Sequence, residues 1–146
     1  MWCIPAQGNA HFVCQMETVL EVYKRPQDPL YPVVCMDETR LQCIKEVRAP
    51  ISARPGETER YDVEYERNGV AHLLLFYAPF ENWRQIHVAD NHAAGEWAEG
   101  VRRLVEEAYA DAKRITLVMD NLNTHTGASL YKAFPPEKAR ALLDKL

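Results

Sequence analysis

The residues best suited to chemistry are two aspartates, each of which follows a short apolar run. Asp120 comes directly after the run 115–119, and Asp37 comes directly after the run 33–36. A continuous apolar run of this length, bounded by polar residues, is typical of a strand that is buried on both faces of a sheet. Open α/β sheets bind their ligands at the carboxyl ends of such strands. The pattern therefore predicts two carboxylates that meet at one end of a sheet, although aspartates that merely cap helices or turns would give the same pattern.

Two carboxylates on neighbouring strands are suited to binding divalent metal ions. Mg²⁺ prefers oxygen ligands and accepts one or two carboxylates, with water and phosphate completing its coordination. Two such ions about 3.5–4 Å apart can activate an attacking oxygen and stabilise a leaving oxygen in phosphoryl transfer. The chemistry that these aspartates would support is therefore metal-assisted phosphoryl transfer.

Polar residues follow each aspartate and could support it. Glu38 comes directly after Asp37 and would point to the opposite face of a strand, which favours a supporting or surface role over a role as a metal ligand. Asn121 and His125 follow Asp120. His125 could orient Asp120 through a hydrogen bond, contact a substrate phosphate, or simply satisfy a buried turn. Asn121 is expected to shape the loop more than to touch a metal.

The composition is that of an ordinary globular protein. The chain has 146 residues, of which 47% are hydrophobic and 26% are charged, and its formal net charge is -4. This size fits one domain with a sizeable core. A negative charge argues against a stand-alone nucleic-acid-binding module, although metal-binding carboxylates make a nuclease core acidic before its cation binds. No apolar run could cross a bilayer and no signal peptide is apparent, so a cytoplasmic protein without membrane association is expected.

Hydrophobic periodicity predicts a series of strands in the first part of the chain. Asn9 is expected to cap a helix that ends near Tyr23, before two prolines. Asn68-Gly69 is expected to form a hairpin turn. The predicted strands are 33–36, with a continuation over 41–47, then 61–66, 70–78 and 83–88. Strands that are joined by short turns should be antiparallel.

Helices dominate the prediction for the second part of the chain. The apolar stripe over 93–109 predicts a long helix, and the strand 115–119 follows it directly. This helix should therefore act as a crossover that returns the chain to the sheet. Two shorter helices are predicted over 127–134 and 137–146, with Pro136 suited to the first turn of the last helix.

Three stretches carry a resemblance to a known family. They are 33–38 (VVCMDE), 61–69 (YDVEYERNG) and 117–126 (LVMDNLNTHT). Together they resemble the catalytic domain of bacterial insertion-sequence transposases of the mariner superfamily, which are also described as DDE-superfamily endonucleases. The resemblance runs from about Trp2 to the last residue. It implies an RNase H-like α/β fold, with three antiparallel strands followed by a helix and a parallel strand.

The resemblance also implies a role for each aspartate. Asp37 and Asp120 would be the first two catalytic members of a metal-binding acidic triad, with Mg²⁺ or Mn²⁺ as the cofactor and two ions in a complete site. Such enzymes use their metals to cleave DNA at the ends of a transposon and then to transfer a 3′-hydroxyl to another strand. DNA is therefore the implied partner, with recognition of the transposon ends assigned to other domains.

Two features depart from the family pattern. Helix-turn-helix domains normally precede the catalytic domain, whereas only a helix and linker over 1–32 precede the core over 33–146 here. The third acidic residue normally follows one more strand beyond Asp120, and the carboxylates available there are Glu137 and Asp144. These suit the first turn and the outer side of a helix, so neither is assigned to the triad. The expectation is a core truncated at both ends, lacking the last strand and helix of the fold, and inactive alone.

Two other functions stay open. The chain could be a non-catalytic remnant or a regulatory fragment that pairs with a full-length transposase, or that forms a homo-oligomer through an exposed sheet edge. It could also be another RNase H-like nuclease in which Glu38 or Asp144 supplies a further ligand. The position of Asp37 relative to Asp120, and the presence of a third carboxylate beside them, separate these hypotheses.

Overall fold

A mixed sheet with helices packed against it organises the chain in the order that the sequence pattern predicts. The computed structural model describes residues 9–91, 93–120 and 122–146. Its strands are β1 (Val33–Glu46), β2 (Tyr65–Ala78), β3 (Trp83–Ala89) and β4 (Thr116–Val118). Its helices are α1 (Ala10–Tyr23), α2 (Ala94–Arg103), α3 (Gly127–Ala133) and α4 (Pro136–Asp144). A π-helical segment, Leu104–Ala108, continues α2.

The strands lie side by side in the order β3-β2-β1-β4. β1 and β2 are antiparallel, as are β2 and β3, whereas β4 runs parallel to β1. This confirms the expected α/β arrangement of three antiparallel strands followed by a crossover helix and a parallel strand. Within the described residues, no helix is both long enough and apolar enough to cross a membrane.

The hairpin turn predicted at Asn68-Gly69 is wrong. β2 continues through both residues and pairs with β1 on either side of them. At this point the two residues of β2 lie opposite Cys43 alone, which is a β-bulge. Gly69 has a φ of 91°, in the left-handed region that glycine adopts freely. The Asn-Gly signal fails here because a tight turn and a bulge both require a positive φ.

The strand predicted over 61–66 is confirmed only at its end. Tyr65 and Glu66 begin β2, whereas the four residues before them are not in a strand. Tyr61 and Val63 supplied the apolar half of the alternating pattern, but they are 73% and 85% exposed. The alternation has no core to face at this point, so it does not produce a strand.

The core lies on one face of the sheet, under α2, α3 and α4. Alternate residues of β1 and β2 point into it, as the two-residue period of a strand requires. The buried sheet residues of this core include Val34, Met36, Leu74, Phe76 and Ala78. The buried helical residues include Trp97, Ala98, Val101, Leu104, Leu130, Ala139 and Leu142. Their burial is the main favourable contribution to the stability of the fold.

α1 begins where the sequence predicts and contacts the other face of the sheet. The Asn9 side chain accepts hydrogen bonds from the backbone N–H groups of His11 and Phe12, which caps the helix. At the end of α1, the Tyr23 hydroxyl lies 3.1 Å from Cys35 Sγ of β1. This hydrogen bond raises the pKa of Tyr23 to about 12. The phenol is therefore neutral at physiological pH and joins α1 to the sheet.

A cluster of ion pairs holds α2 to its π-helical continuation and to α4. The Arg102 guanidinium lies 2.8 Å from Glu99, 2.9 Å from Glu106 and 2.8 Å from Glu107. Lys138 of α4 lies 3.2 Å from the Glu106 carboxylate. The hydrogen bond from Arg102 lowers the pKa of Glu99 from 4.5 to about 2. Glu99 therefore stays ionised well below the pH at which an unfolded glutamate is protonated.

We expect the contribution of this cluster to depend on pH. Because Glu99 has a lowered pKa in the folded state, its stabilisation is complete above about pH 4.5 and is lost as the pH falls through about 2. Arg102→Met should lower the free energy of unfolding by about 1 kcal/mol at pH 7, and by less at pH 3. Urea unfolding at both pH values measures this, with Lys132→Met as the control. A loss that is equal at the two pH values would contradict the expectation.

Candidate active site

The two aspartates lie at the same distance along the chain from a residue pair of two neighbouring parallel strands. Cys35 of β1 lies opposite Val118, the last residue of β4. Asp37 and Asp120 each follow two residues after this pair. Asp120 lies beyond the end of β4, as the sequence predicts. The prediction that Asp37 ends its strand is wrong, because β1 continues through Asp37 to Glu46 in its pairing with β2. Both aspartates are exposed. Two accessible carboxylates therefore follow the paired segment of β1 and β4, one within β1 and one in the loop after β4.

A buried histidine holds the second of these carboxylates. His125 Nδ1 lies 2.8 Å from Asp120 Oδ1. Because an ionised carboxylate can only accept, Nδ1 carries the proton in this hydrogen bond. The side chain of His125 is 1% exposed, whereas that of Asp120 is 51% exposed. The imidazole thus restrains one oxygen of a carboxylate that remains open to solvent.

The loop after β4 and helix α2 fix the position of His125. Its backbone N–H donates to the Leu122 carbonyl oxygen at 2.9 Å, which closes a turn. The Ser129 hydroxyl of α3 donates to the Thr124 carbonyl oxygen at 2.7 Å, which ties the loop to the next helix. The ring of Trp97 stacks on the imidazole, with centroids 5.9 Å apart and planes inclined by 22°. His125 therefore contacts Asp120 through its side chain and closes a turn through its backbone N–H, whereas contact with a substrate phosphate stays a prediction.

Glu38 lies between two buried histidines. Its Oε1 is 3.7 Å from His72 Nδ1, and its Oε2 is 3.6 Å from His125 Nε2. The side chain of Glu38 is 13% exposed, and that of His72 is 9% exposed. The Oδ1 of Asp37 accepts a hydrogen bond from the backbone N–H of Glu38 at 2.8 Å. Glu38 therefore lies beside the histidine of the site and is largely buried, while its supporting role stays a prediction.

The other carboxylates considered from the sequence are engaged within the last helix or stand at its start. Glu137 lies in the first turn of α4, and Asp144 forms an ion pair with Arg140 on the same helix. Within the ranges that the structure describes, no three His, Cys, Asp or Glu side chains are arranged to hold a metal ion. The prediction for Asn121 falls outside the described residues.

His72 is the member of this site that the sequence did not reveal. It lies on β2 in phase with the buried residues Leu74 and Phe76. One polar residue in phase with an apolar series was the available signal, since a buried polar side chain requires partners. That signal could not identify Glu38 as a neighbour, because the contact depends on the register between β1 and β2.

A cleft adjoins the site on the side of Glu38. It has a volume of about 650 Å³. Its walls are formed by Glu38, Thr39, Arg40, Leu122, Asn123 and Thr124. Arg40 is exposed and brings a cation to a region whose other charged groups are carboxylates. The cleft therefore offers one cation and one carboxylate, besides uncharged polar groups, to a polar ligand.

Comparisons with known proteins place this fold and its motifs in a family. The model of the family described as DDE superfamily endonuclease matches residues 32–146. The Mos1 transposase paired-end complex with left transposon end is similar, with a TM-score of 0.52 and 16% identity over 91% of this chain and 42% of that chain. The Mos1 strand transfer complex gives a TM-score of 0.52 and 16% identity over 90% of this chain and 41% of that chain.

A third structure, the Mos1 mariner paired end complex with Mn, has a TM-score of 0.48 and 16% identity over 94% of this chain and 44% of that chain. The chain thus spans less than half the length of these solved structures. At such identity the two better superpositions show a shared fold, which is RNase H-like. No curated protein sequence matches the chain significantly.

Proposed function

The chain belongs to the DDE superfamily endonucleases, and on that premise we propose that its core over 33–146 is the catalytic core of a DNA transposase. Its chemistry would be metal-dependent cleavage of a DNA strand, followed by transfer of the 3′-hydroxyl to a second strand. The observation that supports this proposal is that Asp37 and Asp120 each lie two residues beyond Cys35 and Val118, the last residue pair of the adjacent parallel strands β1 and β4.

The oxygen donors of this candidate site suit a hard divalent cation. Asp37 and Asp120 offer accessible carboxylate oxygens, which are the ligands that Mg²⁺ and Mn²⁺ prefer. We take one of these ions as the cofactor, with two ions in a complete site. When bound, the ions would activate the attacking oxygen and stabilise the leaving oxygen. His125 would keep the Asp120 carboxylate in one orientation through the hydrogen bond at Oδ1.

DNA is the proposed substrate. The Mos1 relatives that share the fold are described as a complex with a transposon end and as a strand transfer complex. Arg40 in the cleft beside the site could pair with a phosphate of the strand being cleaved. The formal net charge of -4 would oppose binding of DNA until cations neutralise the carboxylates. Metal binding should therefore precede or accompany binding of DNA.

The direct test is titration calorimetry of Mn²⁺ into the purified chain and into Asp120→Asn and Asp37→Asn. Because each substitution removes a charged ligand but keeps the shape of the side chain, we expect each to weaken Mn²⁺ binding about 10-fold or more. Asp111→Asn, which changes an exposed aspartate outside the site, is the matched control and should bind as the wild type does. Equal affinity in the wild type and Asp120→Asn, or no binding by the wild type, would contradict the proposal.

A second candidate is a non-catalytic protein that associates with itself or with a full-length transposase. Two observations favour it within the described residues: no third ligand joins Asp37 and Asp120, and β4 ends the strand order with one strand neighbour. An unpaired strand edge can pair with another chain. Sedimentation velocity at high protein concentration tests the self-association that this candidate includes. A strictly monomeric protein would count against it.

A further inference from the structure

A second cleft lies where the parallel strands β1 and β4 begin, and the candidate active site does not include it. This distal cleft has a volume of about 680 Å³, within the range of about 300–1,000 Å³ that is typical of small-molecule sites. Val33 and Thr116, the first residues of the two strands, lie opposite each other in its wall. Asp37 and Asp120 each follow four residues later. The proposed metal chemistry therefore does not use the distal cleft.

Two guanidinium groups in the distal cleft have unused hydrogen-bond donors. Arg25 and Arg114 line the cleft, and both are exposed. Arg114 donates through Nε to the backbone oxygen of Leu146 at 2.9 Å, and its Nη atoms have no partner among the described residues. The Arg25 side chain has neither a hydrogen bond nor an ion pair in the same part of the chain. The planar donor fork of a guanidinium suits a phosphate or a carboxylate, so the two arginines can bind an anion.

The two acids of the distal cleft accept hydrogen bonds from other donors. Asp28 Oδ1 accepts one from the backbone N–H of Leu30 at 2.9 Å. Glu81 Oε2 accepts one from the Tyr109 hydroxyl at 2.9 Å. Within the described ranges, neither acid forms an ion pair with an arginine of the cleft, and the second oxygen of each carboxylate has no partner. The arginines and the acids are therefore available to different parts of one ligand, since a free carboxylate oxygen accepts a hydrogen bond from an amino group.

Two aromatic side chains give the distal cleft an apolar surface. Tyr31 and Phe80 line it, and they are 50% and 38% exposed. Their rings are thus only partly covered by the protein. Aromatic rings that stand beside cationic groups bind nucleic-acid bases by stacking, with little dependence on which base is present. A ligand that fills this cleft should accordingly combine an anionic group with a flat ring.

We propose that the distal cleft binds a nucleotide whose base carries an amino group. The phosphate pairs with Arg25 and Arg114, and the base stacks on Tyr31 or Phe80. The amino group of the base donates to the free oxygen of one of the two acids. A simple anion would leave the rings and the acids unused, whereas a nucleotide engages all three kinds of group. A mononucleotide and one unit of a single DNA strand present this chemistry equally. The inference does not rest on the proposed function, because it involves no metal.

Binding is measured without metal, in a buffer that contains EDTA, by ¹H–¹⁵N spectra of the full labelled chain. Deoxycytidine monophosphate is the first probe, and we expect it to shift the backbone signals of Tyr31 and Thr116. Arg25→Gln removes a cation but breaks no hydrogen bond or ion pair of the described chain, so it should weaken binding about 10-fold. Arg67→Gln changes an exposed arginine of β2 that has no side-chain partner among the described residues. It is the matched control and should bind as the wild type does.

Two further comparisons test the contacts of the base. The double variant Tyr31→Ala and Phe80→Ala lacks both rings. It should bind deoxycytidine monophosphate about 5-fold or more weakly, and its binding of inorganic phosphate should be unchanged. Deoxythymidine monophosphate, which has no amino group, should bind the wild type about 5-fold more weakly than deoxycytidine monophosphate does. Equal affinities for the two nucleotides would overturn the assignment of an amino-bearing base.

A short oligodeoxycytidine distinguishes the two sources of the nucleotide. Binding of the mononucleotide with the expected dependence on Arg25 supports a free nucleotide, and the same dependence for the oligonucleotide alone supports a DNA strand. No binding of either probe by the wild type, or equal binding by the wild type and Arg25→Gln, would overturn the inference. Failure of the wild type to bind Mn²⁺ would instead overturn the proposed function and would leave these results unaffected.

Discussion

Phe76→Ala is expected to lower the free energy of unfolding by about 3–5 kcal/mol, because it leaves a large cavity in a core that can collapse only in part. The Phe76 side chain is 2% exposed and lies on β2 under α2. A domain of this size is typically stable by about 5–15 kcal/mol, so the variant would lose a large part of its stability. Urea unfolding monitored by circular dichroism measures the change.

Phe80→Ala is the matched control for this substitution. Phe80 lies in the turn between β2 and β3 and is 38% exposed. Its replacement removes the same atoms but leaves no closed cavity, so we expect a change of at most about 0.5–1 kcal/mol. Similar losses for Phe76→Ala and Phe80→Ala would mean that the core does not centre on β2 and α2.

Gly100→Ala is expected to destabilise the protein by about 1–3 kcal/mol through overpacking. A Cβ at this position of α2 would stand 2.8 Å from Cζ and 3.0 Å from Cε2 of Phe76. The ring cannot move away easily because it is almost completely buried. The steric cost should exceed the gain of about 1 kcal/mol that alanine normally brings to a helix in place of glycine.

A second glycine of the same helix supplies the control. A Cβ at Gly95 would meet no atom within 4 Å, so Gly95→Ala should be neutral or stabilising by up to about 1 kcal/mol. Combining Gly100→Ala with Phe76→Leu should recover part of the loss, because the smaller side chain makes room for the added methyl group. Thermal unfolding of the four proteins measures both effects. Equal stabilities of Gly95→Ala and Gly100→Ala would show that α2 does not approach the sheet this closely.

Much of the fold could be predicted from the sequence because buried elements space their apolar residues in a regular pattern. The apolar runs before Asp37 and Asp120 predicted two strands, and the stripe over 93–109 predicted the crossover helix. The same stripe could not predict the π-helical segment Leu104–Ala108, because a short change of helical pitch keeps the apolar residues on nearly the same face. Local patterns of this kind report which residues are buried, not how the backbone reaches them.

The errors came from signals that have two structural outcomes. Asn68-Gly69 marks a positive φ, and the structure uses it for a bulge instead of a turn. The alternation over 61–66 describes a strand only where a sheet offers a face to bury. Both choices depend on tertiary contacts, which override local preference.

The candidate site was predictable in its parts and not in its connections. Asp37, Asp120, Glu38 and His125 were all singled out by residue type and position. Their contacts depend on the register of β1 with β2 and on the course of the loop after β4, and neither is encoded in a local pattern. His72 was missed for the same reason. The assignment of the two aspartates as metal ligands stays a prediction that the calorimetry decides.

The pairing of β1 changes along its length, and this change bears on how the protein opens. Within the described sheet, Cys35 pairs with both Tyr77 and Val118, whereas from Leu41 onward β1 and β2 form a two-stranded ribbon. The residues of that ribbon are largely exposed already, so separating its strands would uncover little new apolar surface. Separating β1 from β2 before Leu41 would require disrupting the core, because this part of the two strands contains the buried residues Met36, Leu74 and Phe76. The boundary between the cooperative unit of the fold and an arm that can open independently of it therefore lies at Arg40 and Leu41, and Asp37 lies within the cooperative unit, three residues before Arg40.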